Sequence, residues 1–223
     1  MAISNSSNPS LDLVARLHLR SDLHLARKTW HLGMGTFIAF MYMFVCSQST
    51  AVMLLGFFLG LDLLIETARL KVPALNEKIM RYWGSLMRSC ERDRLSGTPF
   101  YIASALLAVA IFPKPVAVLS ILLLAYGDPI ASLFGVLYGH KGKRFSSGKS
   151  LVGTLAGVLT CTLVSLIFFL MMEVSGAPLI ILTLVAGLAG GLAELLPLDL
   201  DDNFVIPVVS GFVIWASFIA LGI

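Results

Sequence analysis

Seven stretches of this chain are nearly unbroken runs of apolar side chains, and the polar residues are gathered into the intervals between them. The runs cover residues 31–46, 50–65, 98–112, 115–138, 151–172, 178–196 and 204–222. A helix needs about 20 apolar residues to cross the hydrocarbon core, with a range of roughly 17–25. The pattern therefore predicts an all-α, polytopic integral membrane protein of about seven transmembrane helices. The first three runs are short, which points to upright helices or a locally thinned bilayer. The fourth is interrupted by Gly127-Asp128-Pro129 and predicts a broken helix. Such a break is tolerated only where it faces protein or water.

Between the runs, residues 1–30 are polar and mixed in charge and have neither the apolar core nor the cleavage site of a signal peptide. Leu11, Val14, Leu17 and His18 fall at helical spacing, so residues 11–30 predict an amphipathic helix on the membrane surface. The longest polar interval, 67–97, predicts a second amphipathic helix over 72–90. The expected organisation is an interfacial amino-terminal segment, 1–30, and a single transmembrane catalytic domain, 31–223, without an internal repeat. Gly56–Gly60, Gly153–Gly157 and Gly187–Gly191 have the spacing of close helix packing.

Composition excludes a water-soluble fold. Of the 223 residues 57% are hydrophobic and 13% charged, about half the charge of a soluble domain. Cys46, Cys90 and Cys161 are scattered, with neither metal-ligand spacing nor a disulfide framework. The net charge of +3 matters less than its placement. With the amino terminus in the cytoplasm, seven spans place Arg16, Arg20, Arg27 and Lys28 inside. The next inside loop holds Arg69, Lys71, Lys78, Arg81, Arg88, Arg92 and Arg94, and the one after it Lys141, Lys143, Arg144 and Lys149. Lys114 alone among the basic residues falls outside. The positive-inside rule thus agrees with the seven-span count. The basic residues are membrane-facing loops, and no nucleic-acid partner is expected.

Candidate chemistry gathers on that inner face. Asp128 is an ionisable residue within an apolar run, a functional candidate by default. It suits a hard cation or a substrate proton. Lys141, Lys143, Arg144 and Lys149, interleaved with Gly139, Gly142 and Gly148 before a helix opening near Ser150, suit a polyphosphate. The spacing is not that of a P-loop, since five residues rather than four separate Gly142 from Gly148. Glu194 with Asp199, Asp201, Asp202 and Asn203 suits a hard ion such as Mg²⁺. Arg27, Lys28 and His31 share one helical face and read as interfacial anchors. Glu91 to Gly97 reads as a charged cap rather than a site.

Taken in order, these segments resemble the family of CTP-dependent lipid-alcohol kinases, which includes dolichol, phytol and CTP-using diacylglycerol kinases and is distantly similar to phosphatidate cytidylyltransferases. The resembling residues are Arg27-Lys28 with His31; Ser96-Gly97 leading to Phe100-Tyr101; and Gly127-Asp128-Pro129 with Ala131-Ser132, Gly135 and Tyr138-Gly139. They continue with Lys149-Ser150 and Gly153, then Glu194 and Asp201-Asp202-Asn203 with Pro207. Val152 stands where many relatives carry glutamate. The His-Gly-Gly and Asp-Arg-x-Asp signature of the cytidylyltransferases is absent, and so is the long additional membrane region of dolichol kinases.

The resemblance implies γ-phosphoryl transfer from CTP to a membrane lipid alcohol of polyprenol, phytol or diacylglycerol type at the cytosolic interface. On this reading Lys141, Lys143 and Lys149, with Ser150 and Gly153, hold the triphosphate. Asp128, Asp201 and Asp202 bind Mg²⁺ with Asn203 orienting them, and one of the aspartates takes the alcohol proton. Arg27, Lys28, His31 and Glu194 are further site candidates. Two other classes stay open at this point, a cytidylyltransferase acting on a phospholipid and a small membrane transporter. Nothing in the chain sets the alcohol or the oligomeric state.

Overall fold

The computed structural model describes residues 24–145, 147–196, 198 and 200–223. The expected surface helix over 11–30 therefore lies largely outside the described residues. Helix α1 (Leu25–Phe40) passes straight through the expected boundary at residue 30 and ends in a π-helical turn, Met41–Val45. It is followed by α2 (Gln48–Lys71), α3 (Pro73–Trp83), α4 (Gly97–Ile111) and α5 (Lys114–Tyr138). The chain then forms α6 (Leu151–Met171), α7 (Gly176–Leu192) with a 3₁₀ turn over Ala193–Leu195, and α8 (Asp202–Leu221).

Five of these helices, α2, α5, α6, α7 with its 3₁₀ turn and α8, are long and apolar enough to cross a membrane. α4 is apolar but has only 15 residues, and α1 has 16 before its π turn. The amphipathic helix expected over 72–90 is shorter than the pattern suggested. α3 stops at Trp83, and two 3₁₀ turns, Gly84–Leu86 and Ser89–Arg92, carry the chain to α4.

Local chemistry explains the helix starts. The hydroxyls of Ser47, Ser96 and Ser150 and the carboxylate of Asp201 each accept a backbone N–H at the amino end of α2, α4, α6 and α8. Each satisfies one of the donors that a first helical turn leaves open. Proline occupies the first turn of α3 and α5, where a missing N–H costs nothing.

α5 is the axis of the fold. Two-thirds of its apolar window is buried, against 17% for α2, and it packs on α1, α4, α6, α7 and α8. This packing corrects one expectation. Gly127-Asp128-Pro129 does not break the helix, which runs unbroken across Pro129. Proline removes the bond to the carbonyl four residues back, but neighbouring helices enclose α5 along this stretch and hold it helical. Small residues let those neighbours approach. A Cβ on Gly153 would lie 2.7 Å from the Ala131 carbonyl oxygen and one on Gly157 3.0 Å from Ala131 Cβ, so α5 and α6 meet nearly backbone to backbone. Gly187 and Gly191 seat α7 on Thr162 and Val158 of α6 in the same way. Gly56 and Gly60 do not behave so. A Cβ there meets no described atom within 4 Å, because α2 turns that face outward.

Lys114, at the start of α5, donates to the Cys46 carbonyl at 3.2 Å and lies over the Tyr42 ring. At 1.5 Å per residue, 25 residues of α5 separate it by about 37 Å from the other end of the bundle. The polar residues singled out above collect at that other end.

Candidate active site

The first of two cavities at this end has a volume of about 460 Å³ and lies between α5, the start of α6 and the end of α7. Asp128 and Ser132 reach it from α5, Lys149 and Ser150 from the entry to α6, and Glu194 from the 3₁₀ turn after α7. Arg88 and Arg144 border it as well. The loop before α6 is shaped by an isolated bridge between Arg144 and Ser150 and by Gly148, whose φ of +79° suits glycine alone. The bridge brings Lys149 back over the amino end of α6, where Ser150 Oγ accepts the Gly153 N–H at 3.0 Å.

Lys149 is the hub. Its Nζ lies 3.1 Å from Glu194 Oε2 and 2.5 Å from Asp202 Oδ2. Thr154 donates its hydroxyl to the other Glu194 oxygen at 2.9 Å. Burial alone would lower the pKa of the Lys149 ammonium, but the charges of Asp202 and Glu194 outweigh it and hold the value above its ordinary level. Asp128 behaves differently. It borders the same cavity but makes no hydrogen bond or ion pair with any described residue, although its charge is felt by both Lys28 and Lys149.

The acidic segment divides between two surroundings. Asp201 caps α8 by accepting the Asn203 N–H at 2.9 Å and lies 3.9 Å from Arg88. Burial raises its carboxyl pKa, against the opposing effect of the Asn203 N–H and Arg88. Asn203 is buried, donates to the Gly97 carbonyl at 3.3 Å and borders the second cavity. Asp202 is taken up by Lys149. Among the described residues no group of three or more His, Cys, Asp or Glu is arranged to hold a metal ion. A magnesium ion, however, keeps most of its water and phosphate ligands and asks a protein for one or two carboxylates. The unpaired Asp128 carboxylate fits that need. Lys143 is exposed and meets Leu151 only through its own carbonyl. Asp199 and the Lys141 side chain lie outside what the structure describes.

The anchors expected at Arg27 and His31 turn inward instead. Arg27 pairs with Glu91 at 3.0 Å, and Glu91 also accepts the Gly97 and Arg88 backbone N–H groups. His31 is buried, with its ring edge-on to Tyr101 at 4.5 Å between centroids. Their helical spacing could not reveal this, because Glu91 lies 64 residues further along the chain and Tyr101, on α4, 70. Glu91, read above as a cap, is an organising residue of the wall.

Sequence reading also missed Glu66 and Arg69. Arg69 is fully buried, holds both Glu66 carboxylate oxygens at 2.7 Å and donates to the carbonyls of Arg92 and Arg94. Glu66 in turn accepts the Ser96 N–H at 2.7 Å. The same rule that singled out Asp128, an ionisable group in an apolar run, was available for Asp62, and Glu66 directly follows that run.

With this geometry in place, comparison with known proteins decides the family. The chain is 32% identical over 88% of its length to CTP-dependent diacylglycerol kinase 1 of Eremothecium gossypii, covering 71% of that protein. It is 31% identical over 86% of its length to the Schizosaccharomyces pombe protein of the same name, covering 92% of it. The chain belongs to the family of CTP-dependent lipid kinases. The Saccharomyces cerevisiae member is 28% identical over 93% of this chain and 81% of its own. No protein-family model and no solved structure matches the chain. Membership in a membrane-lipid kinase family accounts for a bundle whose outer surface carries Phe57, Leu64, Leu159 and Ile219, each more than half exposed, since such a surface is suited to lipid rather than water.

Proposed function

We propose that the protein phosphorylates diacylglycerol with CTP on the cytosolic face of a membrane it crosses seven times. The observation that carries the site is the polar cavity, where an unpaired carboxylate, Asp128, faces a lysine already clamped by two others. The relatives' names support both CTP as donor and diacylglycerol, rather than a polyprenol or phytol, as acceptor. The seven spans are the five long helices together with α1, extended by its π turn, and the short α4. Upright packing of these two on α5 fits their length.

Phosphoryl transfer is mainly a matter of position and charge neutralisation. A bond forms between the lipid hydroxyl oxygen and the γ-phosphorus, the bond from that phosphorus to the bridging oxygen breaks, CDP leaves, and the hydroxyl proton passes to an aspartate carboxylate of the site. Lys149 holds the triphosphate, with the Arg88 and Arg144 guanidiniums beside it and the amino end of α6, capped by Ser150, supplying backbone donors. Glu194, Asp202 and Thr154 fix the Lys149 ammonium, so its position does not have to be found at each turnover. Lys143, exposed on the same loop as Arg144, adds a further cation. Magnesium bound with the nucleotide would offset charge on the β- and γ-phosphates, with Asp128 as its protein ligand. Arg27 and Glu91 border the second cavity, and Glu91, by accepting the Arg88 N–H, holds the segment that carries Arg88 to the first.

The test uses purified protein in mixed micelles with Mg²⁺ and dioctanoylglycerol, phytol, a short polyprenol or phosphatidate. Label is carried in CTP at the γ- or α-phosphate, or in ATP at the γ-phosphate. Label passing from γ-CTP into diacylglycerol is the expected result. Label from α-CTP into phosphatidate would replace this proposal with cytidylyl transfer, and transfer to phytol or polyprenol alone would replace the acceptor.

A further inference from the structure

The second cavity, about 450 Å³, has no place in triphosphate chemistry. It lies between α1 and α2, with α4 behind it and α3 across one end. α1 packs on α5 and α2 on α4, which leaves the space between α1 and α2 open. Its walls are mostly apolar, from Met34, Ile38, Phe58 and Ile102. Trp30 and Trp83 stand at its α3 end, 6.5 Å apart and edge to face, and are about half exposed. Paired tryptophans of this kind favour the level where lipid headgroups meet the acyl region.

The cavity is not uniformly apolar. His31 Nε2 and Asp62 Oδ2 are buried and have no hydrogen-bond partner among the described residues, and both residues belong to the lining. A buried polar atom without a partner is costly, and few are retained without a use. The other charges of the lining are already matched, Glu66 by Arg69 and Glu91 by Arg27. The cavity therefore has an apolar body, an aromatic rim, one unmatched acidic group and one unmatched ring nitrogen. That is the complement of a neutral lipid with a small hydrogen-bonding head.

We infer that this cavity seats the acceptor lipid as a neutral diacylglycerol. Its free hydroxyl donates to Asp62 Oδ2, an ester or hydroxyl oxygen meets His31 Nε2, and the acyl chains leave between α1 and α2. The inference rests on the proposed kinase function for the identity of the lipid. It explains two things that function alone does not. The first is selectivity for substrate over product, because a phosphomonoester head would bring two negative charges against Asp62. The second is reach. Arg88, which borders the polar cavity, gives its backbone N–H to Glu91, which borders this one beside His31. A lipid head held at His31 is thus one wall away from the nucleotide.

The experiment combines photolabelling and kinetics on the full chain in lipid nanodiscs. A diacylglycerol with a diazirine in one acyl chain is irradiated with the protein, and labelled peptides are mapped with and without excess dioctanoylglycerol or CTP. Label on the facing stretches 30–38 and 58–65, displaced by dioctanoylglycerol and not by CTP, is expected. Asp62→Asn, which removes the acceptor charge, and Met34→Trp, which fills the cavity and leaves both polar side chains in the sequence, each raise the KM for dioctanoylglycerol about tenfold, the scale of one lost hydrogen bond. The KM for CTP stays within about twofold. Label outside both stretches, or an unchanged lipid KM in both variants, overturns the site. The kinase reading fails separately: wild-type protein that labels at these helices yet moves no γ-phosphate from CTP to diacylglycerol keeps the cavity as a neutral-lipid site and loses the reaction.

Discussion

The two cavities are nearly equal in volume and opposite in kind. One is built where α5, α6 and α7 press together over glycines, and Glu194, Asp202 and Thr154 are locked together around Lys149. The other is built where α2 stands off from α1, and its polar atoms, His31 Nε2 and Asp62 Oδ2, are left without partners. The difference teaches how one small bundle can handle a nucleotide and a lipid. A charged, multidentate ligand is best met by groups held in place in advance, since reorganising charge during reaction is expensive. A greasy ligand that arrives from the bilayer is best met by a gap between loosely packed helices. On the function proposed above, the tight half supplies the geometry of transfer, and the loose half, as the inferred lipid seat, supplies access.

The sharpest way to break this contrast is at Asp128, the one carboxylate of the polar cavity with no described partner. Asp128→Asn keeps size and shape and removes only the charge, so it lowers turnover with CTP by about 10³-fold, the scale of losing a charge-stabilising group in a phosphoryl-transfer site. Because no hydrogen bond or ion pair is lost, thermal unfolding in detergent stays within about 0.5 kcal/mol of wild type. Turnover within tenfold of wild type would remove Asp128 from the mechanism.

Next in size is the clasp between the halves. Arg69 is buried with Glu66 and holds the loop that carries Arg92, Arg94 and Ser96, and this loop delivers Glu91 to Arg27. Arg69→Met leaves the Glu66 carboxylate buried and unmatched, which costs about 3–5 kcal/mol. The expected outcome is a lower unfolding midpoint and weaker use of both CTP and lipid, since the clasp serves both cavities. Glu66→Gln in the same chain recovers part of the stability. A double variant no more stable than Arg69→Met would show that the loop, not the charge, was at stake.

How far all this was legible in the sequence follows the same division. The order and approximate bounds of the apolar helices were readable, because their signal is local and repeats along the run. Asp128, Lys149 and Glu194 were readable as candidates too, Asp128 and Glu194 as charges within apolar runs and Lys149 as one just before a run. The continuous course of α5 across Pro129 was not, because it depends on what surrounds the helix rather than on its own residues. Nor were the inward turn of Arg27 and His31 and the parts played by Glu66, Arg69 and Glu91. Each of those depends on a partner or a packing surface brought from elsewhere in the chain, and periodicity carries no information on tertiary pairing. The split of Asp201, Asp202 and Asn203 among Arg88, Lys149 and the second cavity is of the same kind. Three adjacent residues at a helix start point in different directions, so a run of acids in sequence is not a cluster in space.

A smaller effect sharpens the nucleotide side. Lys149→Ala removes the cation but leaves Glu194 and Asp202 facing the phosphates. We expect the KM for CTP to rise about 10–100-fold, in line with loss of a charge-assisted contact, with the lipid KM unchanged. A shift in the lipid KM instead would mean that the two cavities are not separate in function.

The last prediction concerns pH and is an expected absence of change. Asp202 and Glu194 hold the Lys149 ammonium above its ordinary value of 10.5. A raised pKa means that the folded protein binds this proton more tightly than the unfolded chain does. The stability it contributes is therefore complete below about pH 10.5 and is lost only as pH rises through the still higher folded value. Across pH 7–10 the difference in unfolding midpoint between wild type and Lys149→Ala should stay constant, and it should shrink only in stronger alkali. A difference that already falls away between pH 8 and 9 would mean that the lysine titrates as an ordinary or depressed amine. In that case the two carboxylates would not clamp it, and the tight half of the molecule would be no better organised in advance than the loose one.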